Sequence, residues 1–454
     1  MRAVKPPLFS PGGAAAGAPR RGRLGIWTAI SLTVIFGAAL FGDVSRFLRP
    51  SGEKYMGGYY FEGQMDFSFP YLGARAILAH QNPYLTTQPE FSHPVFAPEH
   101  IDGQLFRQLY PPTHLLSYVP LALVFGDDLV AAGRFYFILS LGCLVLVGVV
   151  MCLLVRRIRD EPVAPPYGFL AVTYLMLHPG IQLGLERGQS DNVIGAMAWL
   201  AIFLFARRWF AAALFLVVWA TAIKAYPALL ALGLALLAMQ FRVWRRAALG
   251  AAAAVAVLVL PVAEYLPLGV KASIYRANMF WPMWLNHSFK TLVWHTISEQ
   301  GSDQGGLLLT VLALVIAMIS GWRARQLRQL QRPAAATFAV VLFSTAALVT
   351  VICSSHLSVP YNLVLVVPGV VVLAASQDRM VESFGIGRVG RHLLGAALTF
   401  CGFAVTIVHV GEFPIAALGD LTLLAIAAGL ALVMTPRRLR EVAARAPTAS
   451  AAVA

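Results

Sequence analysis

Residues able to do chemistry are concentrated between positions 66 and 120, the least apolar part of the chain. Asp66 precedes a run of aromatic side chains, Asn82-Pro83-Tyr84 follows, and Tyr110-Pro111-Pro112 opens a short apolar segment. Residues 66–80 have helical spacing of apolar side chains, formed by Phe67, Tyr71, Ala74 and Leu78. Asp66 would cap this helix beside an apolar surface, where a carboxylate can be both oriented and partly desolvated, so a capping role and a catalytic role are compatible.

Lys224 is a second candidate, because it stands at the end of an apolar run and before Pro227. An ionisable group at the lip of a membrane helix usually faces a cavity or a partner, and a snorkelling interfacial lysine is the alternative. Two polar stretches, 186–192 and 281–290, could bind a polar substrate. Helix capping in the first and an interfacial aromatic belt in the second remain alternatives. Asn286-His287-Ser288 also matches the N-glycosylation pattern, a frequent chance match.

Three further patterns favour neither a cofactor nor a metal. Residues 385–390 fit G-x-G-x-x-G but have no strand before them, so we interpret them as a turn. The histidines at 80, 93, 100 and 114 lack i, i+4 pairing with a carboxylate between them, which disfavours a zinc site. The four cysteines have no C-x-x-C spacing and lie in or beside apolar runs, which predicts buried apolar side chains.

Composition predicts a polytopic membrane protein. Of the 454 residues, 58% are hydrophobic and 12% are charged, whereas a soluble domain has about a quarter charged residues. The net charge of +14 resides in short basic clusters between apolar runs. That distribution is typical of topology sorting and lacks the continuous basic face that nucleic-acid binding needs.

The basic clusters give an orientation if each of them is cytoplasmic. Residues 1–23 are then a disordered cytoplasmic tail, and 24–41 is an uncleaved anchor. The membrane domain extends over 24–435, and 436–454 is a second cytoplasmic tail, so both termini lie inside. About twelve transmembrane helices are predicted, at 24–41, 129–155, 167–178, 190–206, 208–222, 226–240, 247–265, 306–320, 334–352, 360–375, 392–410 and 415–434.

The apolar run from Pro112 to Phe125 does not fit this count. It has about fourteen residues, too few for a crossing, and a crossing here would invert every later cluster. We therefore place it as a re-entrant or surface-lying helix in a large first outer loop, 42–128, with its prolines in the first turn. A second large outer loop is predicted at 266–305. Most of the non-arginine polar groups lie in the outer loops, so the working face is predicted to be outward.

An ordered set of motifs over residues 24–375 resembles glycosyltransferase family 87, whose members have the GT-C fold and use polyprenyl-phosphate sugars. The motifs are Asp66…Tyr71…Ala74, Asn82-Pro83-Tyr84, Tyr110-Pro111-Pro112 with Pro120-Leu121, Gly188-Gln189-x-x-Asn192, Lys224-x-x-Pro227, Asn286-x-Ser288, and Ser354-Ser355-His356 to Tyr361. The resemblance implies an all-α, GT-C-like enzyme of the bacterial plasma (inner) membrane. It would transfer mannose or arabinose from the lipid donor to a glycolipid or polysaccharide acceptor on the outer face.

The resemblance also implies roles for particular residues. The general base falls on Asp66, with Asp43, directly after the first apolar run, as the alternative. A leaving phosphate needs positive charge rather than a general acid, and Lys224, Arg276 and Lys290 are expected to supply it. Inversion at the anomeric carbon is implied, and no metal is demanded. The residues expected to bind substrate are Tyr71, Tyr84, Tyr110, Glu186, Gln189, Asn192, Asn286, His287, Ser288 and His356.

Two other functions are compatible with a polytopic chain. A secondary transporter or lipid flippase usually shows internal repeats or ionisable, broken helices near the midplane. This sequence has no clear repeat, and its polar residues gather at one face. A non-catalytic partner in envelope assembly is the third possibility, and it predicts that Asp66→Asn would be silent.

Overall fold

The structure is a computed structural model that describes residues 25–47, 65–86, 88–91, 99–161, 163, 165–239, 243–277, 286, 288–328, 333–355, 360–407 and 415–445. These residues form helices almost throughout, with one small antiparallel hairpin in which Glu99 lies opposite Phe106. The predicted tail at 1–23 lies outside this range, and part of the predicted tail at 436–454 is helical.

The first half of the chain contains the elements that surround the candidate site. They are α1 (Ile26–Phe47), α2 (Met65–Leu78), a 3-10 turn (Pro89–Phe91), β1 (Glu99–Ile101), β2 (Gln104–Phe106), α3 (Pro112–Leu116), α4 (Val119–Phe125), α5 (Leu129–Arg159), α6 (Pro165–Leu177), α7 (Pro179–Arg187), α8 (Asp191–Ala206) and α9 (Phe210–Ile223).

The second half supplies most of the buried framework, since α15 and α16 are buried along nearly their whole length. Its elements are α10 (Ala228–Met239), α11 (Trp244–Val259), a 3-10 segment (Leu260–Tyr265), α12 (Leu266–Ala277), α13 (Phe289–Thr296), α14 (Ser302–Arg328), α15 (Pro333–Ser354), a 3-10 segment (Pro360–Leu365), α16 (Val367–Ser383), α17 (Arg388–Ile407), α18 (Ile415–Val433) and α19 (Pro436–Arg445).

The predicted all-α, polytopic architecture is confirmed. Among the described residues, seven helices are long and apolar enough to cross a membrane, and the bent pair α6–α7 would make an eighth span. There are also four shorter apolar stretches among the described residues, namely residues 26–40 of α1 and the helices α8, α9 and α10. These helices coincide one for one with the apolar runs predicted from the sequence, although α8, α9 and α10 are shorter than a full crossing requires.

Two segments outside the predicted transmembrane helices, 179–187 and 266–277, are helical. Residues 179–187 form α7, bent by 67° from α6, with Pro179 at its start and the buried His178 as its N-cap. Helix α12 continues α11 through a kink at Val262, so the predicted loop 266–305 begins only after Ala277. In both places proline occupies the first turn of a new helix, where its missing N–H costs nothing, so it does not end the helical path.

The segment from Pro112 to Phe125 forms two short helices, α3 and α4, neither long enough to span a membrane. Pro112 and Pro120 each lie in a first turn, as predicted for the first proline. The helix predicted from Asp66 is also present, as α2. Its internal Pro70 has no N–H to donate to the carbonyl of Asp66, one turn earlier.

Arginines from two of the basic clusters bind the ends of helices in the bundle. Arg157, near the end of α5, donates to the carbonyl of Ala206, the last residue of α8, and to Thr337 Oγ1 at the start of α15, both at 3.1 Å. Arg323 donates to the carbonyl of Ala431 at 2.6 Å, in the last turn of α18. Cations at helix C-termini are stabilising because they complement the helix dipole. These contacts define an arginine end of the bundle.

Candidate active site

The candidate site lies at the opposite end of the bundle from these arginines. Arg157 contacts the last residue of α8, whereas the candidate residues lie at the first turn of the same helix. A helix of 16 residues separates its ends by about 24 Å. Helices α2, α3 and α12, the turn before α8 and the turn after α9 converge there.

Asp66 is held in a buried ion pair. Its side chain lies in the first turn of α2 and is 9% exposed, and Arg187 Nε donates to Asp66 Oδ2. Arg187 is the last residue of α7. Gly188 ends that helix at a φ of 67°, a left-handed conformation that favours glycine. The chain therefore turns sharply here, and the same turn leads into α8.

Lys224 forms the second buried charge pair. It caps the C-terminus of α9 with an extended backbone. Its Nζ donates to Asp191 Oδ2 at 2.6 Å and to Gln189 Oε1 at 2.9 Å. The side chains of Lys224 and Asp191 are 11% and 0% exposed. A buried cation is stable only with such partners. Arg187 contacts Asp66, and Gln189 and Asp191 contact Lys224, so the turn 187–191 joins the two charge pairs.

Arg276 brings a third cation to the site from α12. Its guanidinium carbon lies 4.2 Å from the ring centroid of Tyr110, and its Nη2 donates to the Tyr110 hydroxyl at 3.4 Å. Tyr84 holds Tyr110 in place, since the Tyr84 hydroxyl donates to the Tyr110 carbonyl at 2.7 Å. Burial raises the pKa of Tyr84 well above its usual value, so it remains a neutral donor.

An aromatic wall connects the Asp66 helix to the turn before α8. Phe67 stacks on Tyr71 at 5.3 Å and packs against Tyr136 at 5.0 Å. The hydroxyl of Tyr118 donates to that of Tyr136 at 3.0 Å, and Tyr136 donates in turn to the Gln189 carbonyl at 3.4 Å. The Asp66 and Lys224 pairs therefore belong to one continuous site.

His114 is buried within this wall, between the rings of Tyr110 and Tyr118, with centroids 4.6 and 5.6 Å away. Burial, together with the positive charges of Lys224 and Arg276, holds the pKa of His114 well below its usual range. The imidazole is therefore neutral and adds no charge. Across the described residues neither of its ring nitrogens has a hydrogen-bond partner.

Several other buried polar atoms at the start of α8 also lack partners within the described part of the chain. They are Gln189 Nε2, Ser190 Oγ, Asp191 Oδ1, Asn192 Nδ2 and Asn192 Oδ1. A buried polar atom without a hydrogen bond costs about 1–3 kcal/mol. Carboxamide, hydroxyl and carboxylate groups are suited to sugar hydroxyls, so a polyhydroxylated ligand could offset this cost.

The structure brings together most, but not all, of the residues predicted from the sequence. Asp66, Tyr71, Tyr110, Gln189, Asn192, Lys224 and Arg276 lie in the site just described, with Tyr84 behind it. The predictions for His287 and His356, and for the side chains of Asp43 and Glu186, fall outside what the structure describes.

Residues 286–290 have contacts in and around α13. Lys290 forms an ion pair with Asp303 of α14 at 2.5 Å. Asn286 Oδ1 accepts from the Ser288 N–H at 3.1 Å, and Ser288 Oγ caps α13 by accepting from the Thr291 N–H at 3.2 Å. Asn286 is fully buried, so the folded protein cannot carry a glycan there. None of the contacts described above for Asp66, Lys224 and Arg276 involves these residues.

Sequence analysis missed three site residues: Arg187, Asp191 and His114. The first two lie in the polar turn 186–192, and a lysine at the lip of a membrane helix calls for a carboxylate partner. That reasoning could have paired Lys224 with an acid in this turn. His114 is four residues from Tyr110 and from Tyr118, a spacing that puts the three rings on one helical face.

Neither the histidines nor the cysteines form a metal site in the described part of the chain, where no group of three or more His, Cys, Asp or Glu side chains could hold an ion. All four cysteines are free; Cys353 and Cys401 are buried, and Cys143 and Cys152 are half-buried.

The fold and the site are those of a polytopic, all-α membrane protein with a charged, aromatic-lined site at one end of its helices. The sequence profile of glycosyltransferase family 87 matches residues 109–355, more than half of the chain. The chain belongs to this family and is a membrane glycosyltransferase, which confirms the resemblance seen in its motifs.

Two solved structures of ArnT from Cupriavidus metallidurans are similar to this chain. The apo structure is 15% identical, with a TM-score of 0.40, over 90% of this chain and 76% of that chain. The structure bound to undecaprenyl phosphate is also 15% identical, with a TM-score of 0.35, over 91% and 77%. No curated protein sequence gives a significant match.

Proposed function

We propose that the protein transfers a sugar, mannose or arabinose, from a polyprenyl-phosphate donor to a glycolipid or polysaccharide acceptor. The reaction would take place at the outer face of a bacterial plasma membrane, with both termini in the cytoplasm. The observation that carries this proposal is the juxtaposition of a buried carboxylate, Asp66, with the cations Arg187, Lys224 and Arg276 in an aromatic-lined site. Undecaprenyl phosphate in one of the similar structures suggests the class of lipid.

The charges of the site suit a lipid phosphate. Three cations, Arg187, Lys224 and Arg276, stand against two carboxylates, Asp66 and Asp191, which gives these side chains a net charge of +1. A donor phosphodiester carries one negative charge and neutralises the site. Lys224 and Arg276 hold the phosphate in this proposal, with Lys290 as a further cation from α13.

The proposed reaction is a single displacement. Asp66 takes the proton of the acceptor hydroxyl, whose oxygen forms a bond to the anomeric carbon. The bond from that carbon to the phosphate oxygen breaks, and its electron pair leaves with the phosphate. One negative charge disappears at Asp66 as one appears on the phosphate monoester, so the site keeps its charge balance. Attack opposite the leaving group inverts the anomeric carbon, and no metal is required.

The remaining substrate contacts follow from the wall and the turn before α8. Tyr71, Tyr110, Gln189 and Asn192 would bind the sugars, together with His287, Ser288 and His356. Helix α12 carries exposed apolar side chains, Val270 and Ile274, on the turns before Arg276. They would contact the polyprenyl chain where it leaves the phosphate.

The test is transfer by the purified protein from polyprenyl-phosphate mannose or arabinose to candidate glycolipid acceptors. We expect Asp66→Asn and Asp66→Ala to lower kcat by at least about 100-fold, because general-base catalysis contributes on that order. Asp43→Ala is the matched control and should retain activity. Activity lost in Asp43→Ala but kept in Asp66→Ala would move the base to Asp43. No transfer by the wild-type protein with any lipid-linked sugar would contradict the proposed function.

A further inference from the structure

Arg187 contacts the proposed base directly, although no motif gives it a role. Its Nε donates to Asp66 Oδ2 across 121 positions of sequence. Both side chains are largely withdrawn from solvent, at 18% and 9% exposure. An ion pair in this environment is screened far less than one on the surface, and its hydrogen bond is charge-assisted. It therefore fixes where the carboxylate points.

Arg187 is itself fixed from two sides. Helix α7, which carries Arg187, is capped at its C-terminus, where the Gln189 N–H donates to the Gly184 carbonyl at 2.8 Å. The side chain of the same Gln189 accepts, through Oε1, from Lys224 Nζ at 2.9 Å. The guanidinium is thus placed by the same turn that contacts the proposed phosphate cation. A shift of Arg187 would displace the base relative to the donor.

We propose that Arg187 is the positioning residue of Asp66, an inference that rests on the function proposed above. It holds Oδ2, so that Oδ1 is the oxygen that takes the proton of the acceptor hydroxyl. When Asp66 accepts the proton, the pair loses its negative member, and Arg187 remains as a cation while the phosphate gains charge.

The competing explanation is that Arg187 only anchors α2 to the bundle. The chain offers a matched control for this, because α2 has a second Arg–Asp anchor. Arg75, in the last turn of α2, pairs with Asp127 in the turn before α5. Arg75→Gln removes an ion pair from the same helix without touching Asp66.

The experiment compares Arg187→Gln, Arg187→Lys and Arg75→Gln in the full-length protein, with a polyprenyl-phosphate sugar that the wild type uses. We expect Arg187→Gln to lower kcat about 100-fold, since small misplacement of a reacting group has that cost. The KM for the donor should change much less than kcat, because Lys224 and Arg276, which hold the phosphate, are unchanged. Arg187→Lys keeps the positive charge, so its kcat should be about tenfold higher than that of Arg187→Gln. The kcat of Arg75→Gln should stay within about threefold of the wild-type value.

Three results would overturn the proposal. They are equal losses in Arg187→Gln and Arg75→Gln, no recovery in Arg187→Lys, or a raised donor KM with kcat retained. Thermal melting is measured alongside. If Arg187→Gln does not fold, Arg187→Lys decides: a kcat about tenfold below wild type is expected, and a wild-type kcat contradicts the inference. An inert wild type would instead refute the proposed function, so the two failures are distinguishable.

Discussion

At the scale of single residues, the site is built from charges that neutralise one another. Lys224 is stabilised by Asp191 and Gln189, and Asp66 by Arg187. Each pair is buried, so removing one partner leaves an uncompensated charge away from water, whereas removing both does not. This difference separates the contribution of a pair to folding from its contribution to catalysis.

The pair of Lys224 and Asp191 can be tested by a double-mutant cycle. Lys224→Met leaves the fully buried Asp191 without its cation, and we expect about 3 kcal/mol lower stability. Asp191→Asn in addition removes the orphan carboxylate and should restore most of that loss. Thermal or denaturant unfolding in detergent measures stability, and donor turnover is measured in parallel. Stability should return in the double variant while activity does not, because the phosphate cation is still missing. If the stability losses of the two single substitutions added up in the double variant, the energetic coupling between Lys224 and Asp191 would be contradicted.

The identity of the proposed base could be derived from sequence, but its partner could not. Asp66 stands out because a carboxylate begins an aromatic helix in an outer loop. Arg187 is one of several arginines in the chain, and its proximity to Asp66 results from the 67° bend between α6 and α7. That bend depends on how α7 packs in the bundle, and the sequence analysis predicted no helix over the residues of α7.

At the scale of elements, close approach between α12 and α3 brings Arg276 to Tyr110. Gly269 makes this possible, because a Cβ at that position would lie 2.3 Å from Pro112 Cδ and 2.7 Å from the Tyr84 hydroxyl. Pro112 begins α3 two residues after Tyr110, and Tyr84 is hydrogen-bonded to the Tyr110 carbonyl. Neither a proline ring nor a buried tyrosine can move away easily, so the helices would have to separate.

We therefore expect Gly269→Ala to weaken donor binding, with a higher donor KM and about 1–3 kcal/mol lower stability, the usual cost of overpacking. Gly429→Ala in α18 is the matched control, since a Cβ there meets nothing within 4 Å. In that helix the substitution should raise stability by up to about 1 kcal/mol, through helix propensity alone. The KM for the donor and the thermal melting temperature are measured for both variants. Equal effects of both substitutions would show that the approach of α12 to α3 is unimportant.

At the scale of the whole molecule, the helices separate an arginine end from the end that holds the candidate site. The first is defined by arginine side chains on helix C-termini, such as Arg323 on the carbonyl of Ala431. The second holds Asp66, Lys224 and Arg276. Lipid-linked sugars would reach the second end from one leaflet only. The positive-inside rule predicts that this is the outer leaflet.

Cysteine labelling in intact cells tests this orientation. Asp102 lies at the hairpin tip on the catalytic side and is 81% exposed, and Arg437 lies on the arginine side and is 88% exposed. We expect an impermeant maleimide to label Asp102→Cys in intact cells and Arg437→Cys only after permeabilisation. The wild-type chain, with its four native cysteines, gives the background. The reverse pattern would put the site in the cytoplasm and contradict transfer on the outer face.

The sequence by itself determined the class of the protein. Apolar runs and basic clusters predicted its membrane helices because hydrophobicity and charge act locally, residue by residue. Ordered motifs indicated the family, and Asp66 and Lys224 were identifiable because a charged group beside apolar sequence is costly without a purpose. The tertiary structure decided which charges meet. Arg187 and Asp191 face their partners only because bent helices bring distant segments together, and such contacts depend on packing that no local pattern encodes.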